Sequence, residues 1–298
     1  MEVQKSFFTT VNHPFVIDKV EEVACNLCGN AAYDSIGREL DFDIRACTKC
    51  GLVYVSPQPA QEEFARFYAS MYSDHSEEAV ETRSLGYVER HLKRLVMRRK
   101  PKGGDFLEVG CGYGNFLRQI ATLPWKITAL EISETALNYA KSQVPQATFQ
   151  QTTIEDAVVA PASQDCVVMI AVLEHVKDPR ATIAKATSWL RPGGLFVVQV
   201  PYVAPFMRVK RWLPQLPISF EAPRHLFDFS PTTLPQYFRD AGLTDVRVEI
   251  ARPYSSPTLL GVALIWGVKL VGLALYYVTF KRYVYPFASA IVVHGVKR

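Results

Sequence analysis

Four of the six cysteines fall into two close pairs, Cys25-Asn-Leu-Cys28 and Cys47-Thr-Lys-Cys50, with eighteen residues between them. Two C-x-x-C pairs separated by about 15–20 residues have the spacing of a zinc site. Four thiolates satisfy tetrahedral Zn²⁺ and close its coordination sphere. The expected role of Cys25, Cys28, Cys47 and Cys50 is therefore structural. Gly29 and Gly51 each follow the second cysteine of a pair, where the chain must turn around sulfur. Redox thiols are the competing use of such pairs. Cys111 and Cys166 stand apart and are expected in the core.

A second constellation is the run Glu108-Val-Gly-Cys-Gly-Tyr-Gly114. Glycines at a strand-to-helix turn let the backbone bend sharply and approach a ligand, and the helix that follows aims free N–H groups at it. The glycines are at 110, 112 and 114. A dinucleotide fingerprint would place its third glycine three residues after the second, where Asn115 stands. Glu131 lies about twenty residues on, where an acidic side chain can accept from two ribose hydroxyls. An adenosine ligand is implied without choosing which one. His175, Glu174 and His225 are the titratable candidates. Imidazole suits proton transfer near neutral pH, and Glu174 is either a base or a cap for the next helix.

These residues need a frame. Short apolar strands are predicted at 105–109, 126–130, 147–150, 166–170 and 195–200. Helices are predicted between them at 115–122, 134–142 and 179–190. Ser133 and Asp178 stand where N-caps belong, and Pro179 fits a first helical position. Alternation at this length implies right-handed crossovers and a parallel sheet covered on both faces. Ligands then bind at the carboxyl ends of the strands, which is where Glu108–Gly114, Glu131 and Glu174-His175 fall. A helix at 231–241, a strand at 246–250 and a last strand at 290–296 complete the pattern. Upstream, residues 1–22 read as an irregular leader, and helices are expected over 58–72 and 85–99.

The segment Leu107–Phe116 resembles the first motif of class I S-adenosylmethionine (SAM)-dependent methyltransferases. Glu131-Ile132, Thr153–Asp156, Ala171–Pro179 and Leu190–Gly194 are similar to further segments of that family, in the same order. The resemblance implies a doubly wound, seven-stranded Rossmann-like α/β sheet whose last strand inserts antiparallel beside the fifth. It implies SAM as methyl donor, with Glu108, Gly110, Gly112 and Gly114 at its methionine part. Glu131 would then hold the ribose and Ile132 flank the adenine. Thr153 and Ile154 would supply the far wall of the adenine pocket, and Ala171 would adjoin the cofactor. Methyl transfer is an in-line displacement, so the protein mainly aligns two partners and excludes water. His175, His225 and Glu174 are the candidates to contact or deprotonate the acceptor, with Arg224 and Tyr202 near it. Cys47–Pro59 resembles the N-terminal zinc-ribbon modules of some methyltransferases. The implied domains are a leader and zinc ribbon at 1–57, linking helices at 58–100, and a SAM-binding domain at 101–298.

Residues 258–280 are apolar with one charge, by count long enough to span a bilayer. A single span would separate the last strand from its own sheet. The insertion, about 255–285, is therefore expected to lie in the interface, re-enter or pack on protein. Lys281 and Arg282 favour peripheral membrane contact through 258–282; a homodimer interface is the alternative. The net charge of +4 neither demands nor excludes an anionic partner. With no secretory signal, the expected setting is cytoplasmic. The expected acceptor is a small molecule, a sugar or a lipid- or glycan-linked group. An RNA methyltransferase whose ribbon grips nucleic acid is a second reading, since seven of the thirteen positions 90–102 are Lys or Arg. The ribbon's poverty in basic residues and the apolar insertion speak against nucleic acid. A non-catalytic SAM-binding scaffold is the third.

Overall fold

The computed structural model describes residues 17–64, 66–67, 88–210, 219–250 and 290–298. In chain order the N-terminal part contains β1 (Val20–Glu21), β2 (Tyr33–Glu39), β3 (Phe42–Cys47), β4 (Val53–Ser56) and β5 (Gln58–Pro59). The stretch read as a leader thus contributes β1, which pairs with β5. The segment between the cysteine pairs forms the β2–β3 hairpin. Residues 61–64 and 66–67 are helical, and the rest of the helix expected over 58–72 lies outside the described residues.

The second helix is α1 (Val88–Arg99). It leads into the alternating series β6 (Gly104–Val109), α2 (Asn115–Ile120), β7 (Trp125–Glu131), α3 (Glu134–Gln143), β8 (Thr148–Gln151), β9 (Gln164–Ile170), α4 (Pro179–Trp189) and β10 (Leu190–Pro201). There follow α5 (Ala204–Lys210), β11 (Phe227–Asp228), α6 (Thr233–Asp240), β12 (Leu243–Ile250) and β13 (Ala290–Lys297). The seven-stranded order is β12-β13-β10-β9-β6-β7-β8. Strands β8, β7, β6, β9 and β10 run parallel. The last strand, β13, runs antiparallel between β10 and β12. This is the doubly wound seven-stranded sheet expected from the resemblance. The Pro-Gly-Gly turn at 192–194 is absorbed as a register break at the start of β10.

Period-two alternation explains why both faces are covered. Phe106, Cys166, Leu195 and Val292 pack on one face with Leu92 and Leu95 of α1 and Phe116 of α2. Their chain neighbours Leu107, Val167, Phe196 and Val293 pack on the other with Ile183 of α4 and Phe238 of α6. That second core also takes in Leu27, Leu52, Tyr54 and Phe64, so the cysteine-bearing part packs directly on the sheet's helices. Ser133 accepts from the Ala136 N–H and Asp178 from the Ala181 N–H, the caps their positions predicted. Cys111 and Cys166 are buried as expected.

Two basic side chains of α1 are neutralised within the fold: Arg98 pairs with Glu249 and Arg99 with Asp245. Among the described residues no helix is long and apolar enough to cross a membrane. The insertion 258–282 lies outside them.

Candidate cofactor and acceptor site

The glycine loop leaves the carboxyl end of β6 and bonds back to the neighbouring strand. The Gly110 and Cys111 N–H groups both donate to the Leu130 carbonyl, at 2.8 and 3.1 Å. Two glycines have separate reasons to be glycine. Gly110 has φ 70°, and a Cβ there would lie 2.4 Å from Val172 Cγ2, so it lets the loop after β9 approach. Gly112 has φ 51°, and a Cβ there would meet nothing within 4 Å among the described residues. Its left-handed conformation, not crowding by described residues, demands glycine.

Glu131 ties this loop to the end of β7. One carboxylate oxygen accepts from the Gly112 N–H at 2.7 Å and the other from the Ser133 N–H at 2.9 Å. Each oxygen retains a further lone pair for a hydroxyl donor. Burial pushes the Glu131 pKa up. Glu108 is 2% exposed, and its Oε2 has no hydrogen-bond partner among the described residues. Burial, with Glu89 and Glu131 nearby, raises its pKa well above the carboxylate range. A buried carboxylate oxygen without a donor is costly, and an aminoacyl ammonium group would relieve that cost. Ile132 is 47% exposed directly after Glu131, an apolar surface suited to a purine face. These features fit SAM. Thr153 is only partly buried, and its hydroxyl is engaged with Asp156. Ile154 sits in the main core rather than at the surface.

After β9, Ala171 adopts φ 53°, a conformation uncommon outside glycine. The chain then turns through a short 3₁₀ segment, Leu173–His175. That turn meets the loop before β11. The Leu226 N–H donates to the Glu174 carbonyl at 2.8 Å, and the His175 and His225 ring centroids are 4.8 Å apart. Glu174, His175 and His225 thus form one cluster, with side-chain exposures of 1%, 15% and 12%. Burial keeps both imidazoles below their usual range, His225 at about 4, and pushes Glu174 up to about 8. Arg224 pairs with Glu221 at 2.9 Å. Burial pushes Tyr202 up to about 12, and Asp228 adds to the shift.

The cysteine pairs converge as well. Cys25 Sγ lies 3.4 Å from Cys50 Sγ, Cys28 Sγ lies 3.5 Å from Cys47 Sγ, and all four sulfurs lie within 4.8 Å of one another. Thiolates about 2.3 Å from a tetrahedral Zn²⁺ stand about 3.8 Å apart, so the donor set fits that ion.

Two features escaped the sequence reading. The cysteine-bearing sheet is completed by β11, which pairs with β4, giving the order β11-β4-β3-β2. Glu39, at the end of β2, accepts from the N–H groups of Phe220, Glu221 and Ala222 at 2.6, 2.8 and 3.2 Å, and from Ser219 Oγ at 3.1 Å. It therefore holds the loop that carries His225. Its partners lie some 180 residues away in sequence, so no local spacing announces it. Hydrogen bonds to a charged group contribute about 1.5–3 kcal/mol each. Glu39→Ala is expected to raise amide exchange at 220–222 by at least about tenfold while leaving the glycine-loop amides unchanged. Equal protection in the variant would show that Glu39 does not order the loop.

A family model described as a methyltransferase domain matches residues 82–248, more than half of the chain. The protein belongs to the class I SAM-dependent methyltransferase family. A probable S-adenosylmethionine-dependent methyltransferase of Mycobacterium tuberculosis is 30% identical over 162 residues, covering 54% of this chain and 57% of that protein. The match thus spans little more than half of that relative. A ubiquinone biosynthesis O-methyltransferase of Xanthomonas axonopodis pv. citri is 30% identical over 173 residues, 51% of this chain and 67% of its own. The solved structure of a 1,6-didemethyltoxoflavin-N1-methyltransferase from Burkholderia thailandensis has a TM-score of 0.56 at 14% identity. It covers 88% of this chain and 97% of that one. At that identity the likeness is one of fold.

Proposed function

We propose that the protein transfers a methyl group from SAM to a hydroxyl oxygen of a small or lipid- or glycan-linked acceptor. The observation that carries this is the placement of two unlike surfaces at the carboxyl ends of adjacent strands. One is the open, Glu131-braced glycine loop with exposed Ile132. The other is the buried Glu174/His175/His225 cluster, joined to it where Val172 packs on Gly110. Bound on the loop, SAM supplies an electrophilic methyl carbon. In this reading Glu108 and Gly110–Gly114 hold its aminoacyl end, Glu131 its ribose, and Ile132, Thr153 and Ile154 surround its adenine, with Ala171 alongside. Glu174, His175 and His225 receive the acceptor hydroxyl, and the Glu39-held loop covers them and excludes water.

Several similar proteins are named as ubiquinone biosynthesis O-methyltransferases, which supports a hydroxyl acceptor. The apolar stretch 258–282 with Lys281 and Arg282 supports an acceptor presented at a lipid surface. The pairing of Arg98 with Glu249 and of Arg99 with Asp245 weakens the RNA methyltransferase reading. Four cysteines hold structural zinc in this reading, beneath the acceptor loop.

Incubation with methyl-labelled SAM and fractionated cell extract tests the function. Label is expected in a small-molecule, glycan or lipid fraction, in base-stable ether linkage. Label confined to RNA, or SAM binding without transfer to any fraction, would overturn the reading.

A further inference from the structure

We propose that Glu89, in the first turn of α1, is a second carboxylate for the ammonium group of the bound cofactor, acting together with Glu108. The residue lies outside every segment that resembles the family. The inference rests on the proposed placement of the cofactor's aminoacyl end at Glu108.

The direction of α1 brings Glu89 to the right end of the sheet. Strand β12 is antiparallel to β13, and β13 is antiparallel to β10, so β12 runs the same way as the parallel strands. Arg99, the last residue of α1, pairs with Asp245 near the start of β12. His91, near the first turn, lies 3.2 Å from Glu249 near the end of β12. The helix therefore runs against the strands, and its first turn lies towards their carboxyl ends, where the glycine loop begins. Leu92 and Val96, three and seven positions after Glu89, are fully buried, and they pack in one core with Phe106 of β6 and Phe116 of α2. Positions three and seven apart share a helix face, so residue 89 is on the packed side.

Two carboxyl groups with unmet need then share this end. Glu89 Oε2 is buried without a hydrogen-bond partner among the described residues, as is Glu108 Oε2. Burial raises the Glu89 pKa, and the charges of Arg90 and Arg118 oppose the rise without cancelling it. Burial is also the main cause of the raised Glu108 pKa, and the Glu89 charge comes next, ahead of Glu131. Two buried carboxylates that repel each other are both costly. One cation between them relieves both. An ammonium group carries three donors, enough for both Oε2 atoms with one to spare. The pair thus selects an adenosine ligand that bears a free amino group, and Glu89 contributes to that choice.

The test is calorimetric titration of the full chain with two probes. S-adenosylhomocysteine carries the ammonium group; 5′-methylthioadenosine keeps the nucleoside and the sulfur but lacks it. Glu89→Gln preserves the size of the side chain and removes its charge. The variant is expected to bind S-adenosylhomocysteine about tenfold more weakly and methylthioadenosine within about twofold of wild type. The second titration also reports that the variant is folded. An equal loss for both probes, or no loss for either, would overturn the proposal and leave the proposed function standing. A wild-type chain that binds neither S-adenosylhomocysteine nor SAM would remove the proposed function as well.

Discussion

Glu131→Ala is expected to weaken SAM binding by at least about a hundredfold, with little change in the rest of the fold. The reason is double. The carboxylate is 4% exposed and accepts the Gly112 and Ser133 N–H groups. Its loss orphans two donors, each costing about 1–3 kcal/mol where buried. One of them belongs to the loop that must keep Gly112 in its left-handed shape. The substitution also removes the proposed acceptor for the ribose hydroxyls. About 1.4 kcal/mol is tenfold in affinity, so the combined loss exceeds two decades. Glu131→Gln preserves size and one acceptor oxygen but presents a donor to one of the two N–H groups; an intermediate loss of roughly tenfold is expected. Calorimetric titration with SAM measures both. A Kd for Glu131→Ala within about threefold of wild type would remove Glu131 from the cofactor site.

Cys47→Ser is expected to act over a longer range. The purified wild-type chain should carry about one zinc per chain by elemental analysis, and the variant should lose it. Structural zinc contributes roughly 10–16 kcal/mol in small finger peptides, comparable to the whole stability of a domain. Cys25 and Cys47 are 2% and 3% exposed, and Leu27, Leu52 and Tyr54 beside them belong to the main core. The same sheet continues through β4 into β11, which begins two residues after His225. Losing the metal should therefore lower Tm by at least about 5 °C, the equivalent of about 1 kcal/mol or more. It should also raise amide exchange over 219–228 more than at 108–114. A chain that carries no zinc when purified under reducing, zinc-replete conditions, or a variant with unchanged Tm, would count against a structural metal.

The two outcomes separate parts of the molecule that differ in how far their residues lie apart in sequence. Gly110, Gly112 and Glu131 belong to consecutive strand ends, and their spacing follows from one strand–helix–strand unit. Ser133 and Asp178 cap helices that start one residue later. Such features depend on backbone geometry over a turn or two, so residue types alone reveal them. The β2–β3 hairpin was harder to read because β2 is largely exposed and carries no alternating apolar face.

By itself the sequence determined the two C-x-x-C pairs, the strand-helix alternation, the glycine loop and the acidic residue that answers it. Each is a matter of short-range spacing set by the period of a strand, the pitch of a helix or the tight turn that brings two cysteines together. Only the tertiary structure decided that His225 meets His175 across some fifty residues, that Phe227–Asp228 closes the cysteine-bearing sheet, and that Glu39 holds the loop between them. Those contacts join elements with no fixed separation along the chain. They depend on how two layers pack on one sheet, which no local pattern encodes.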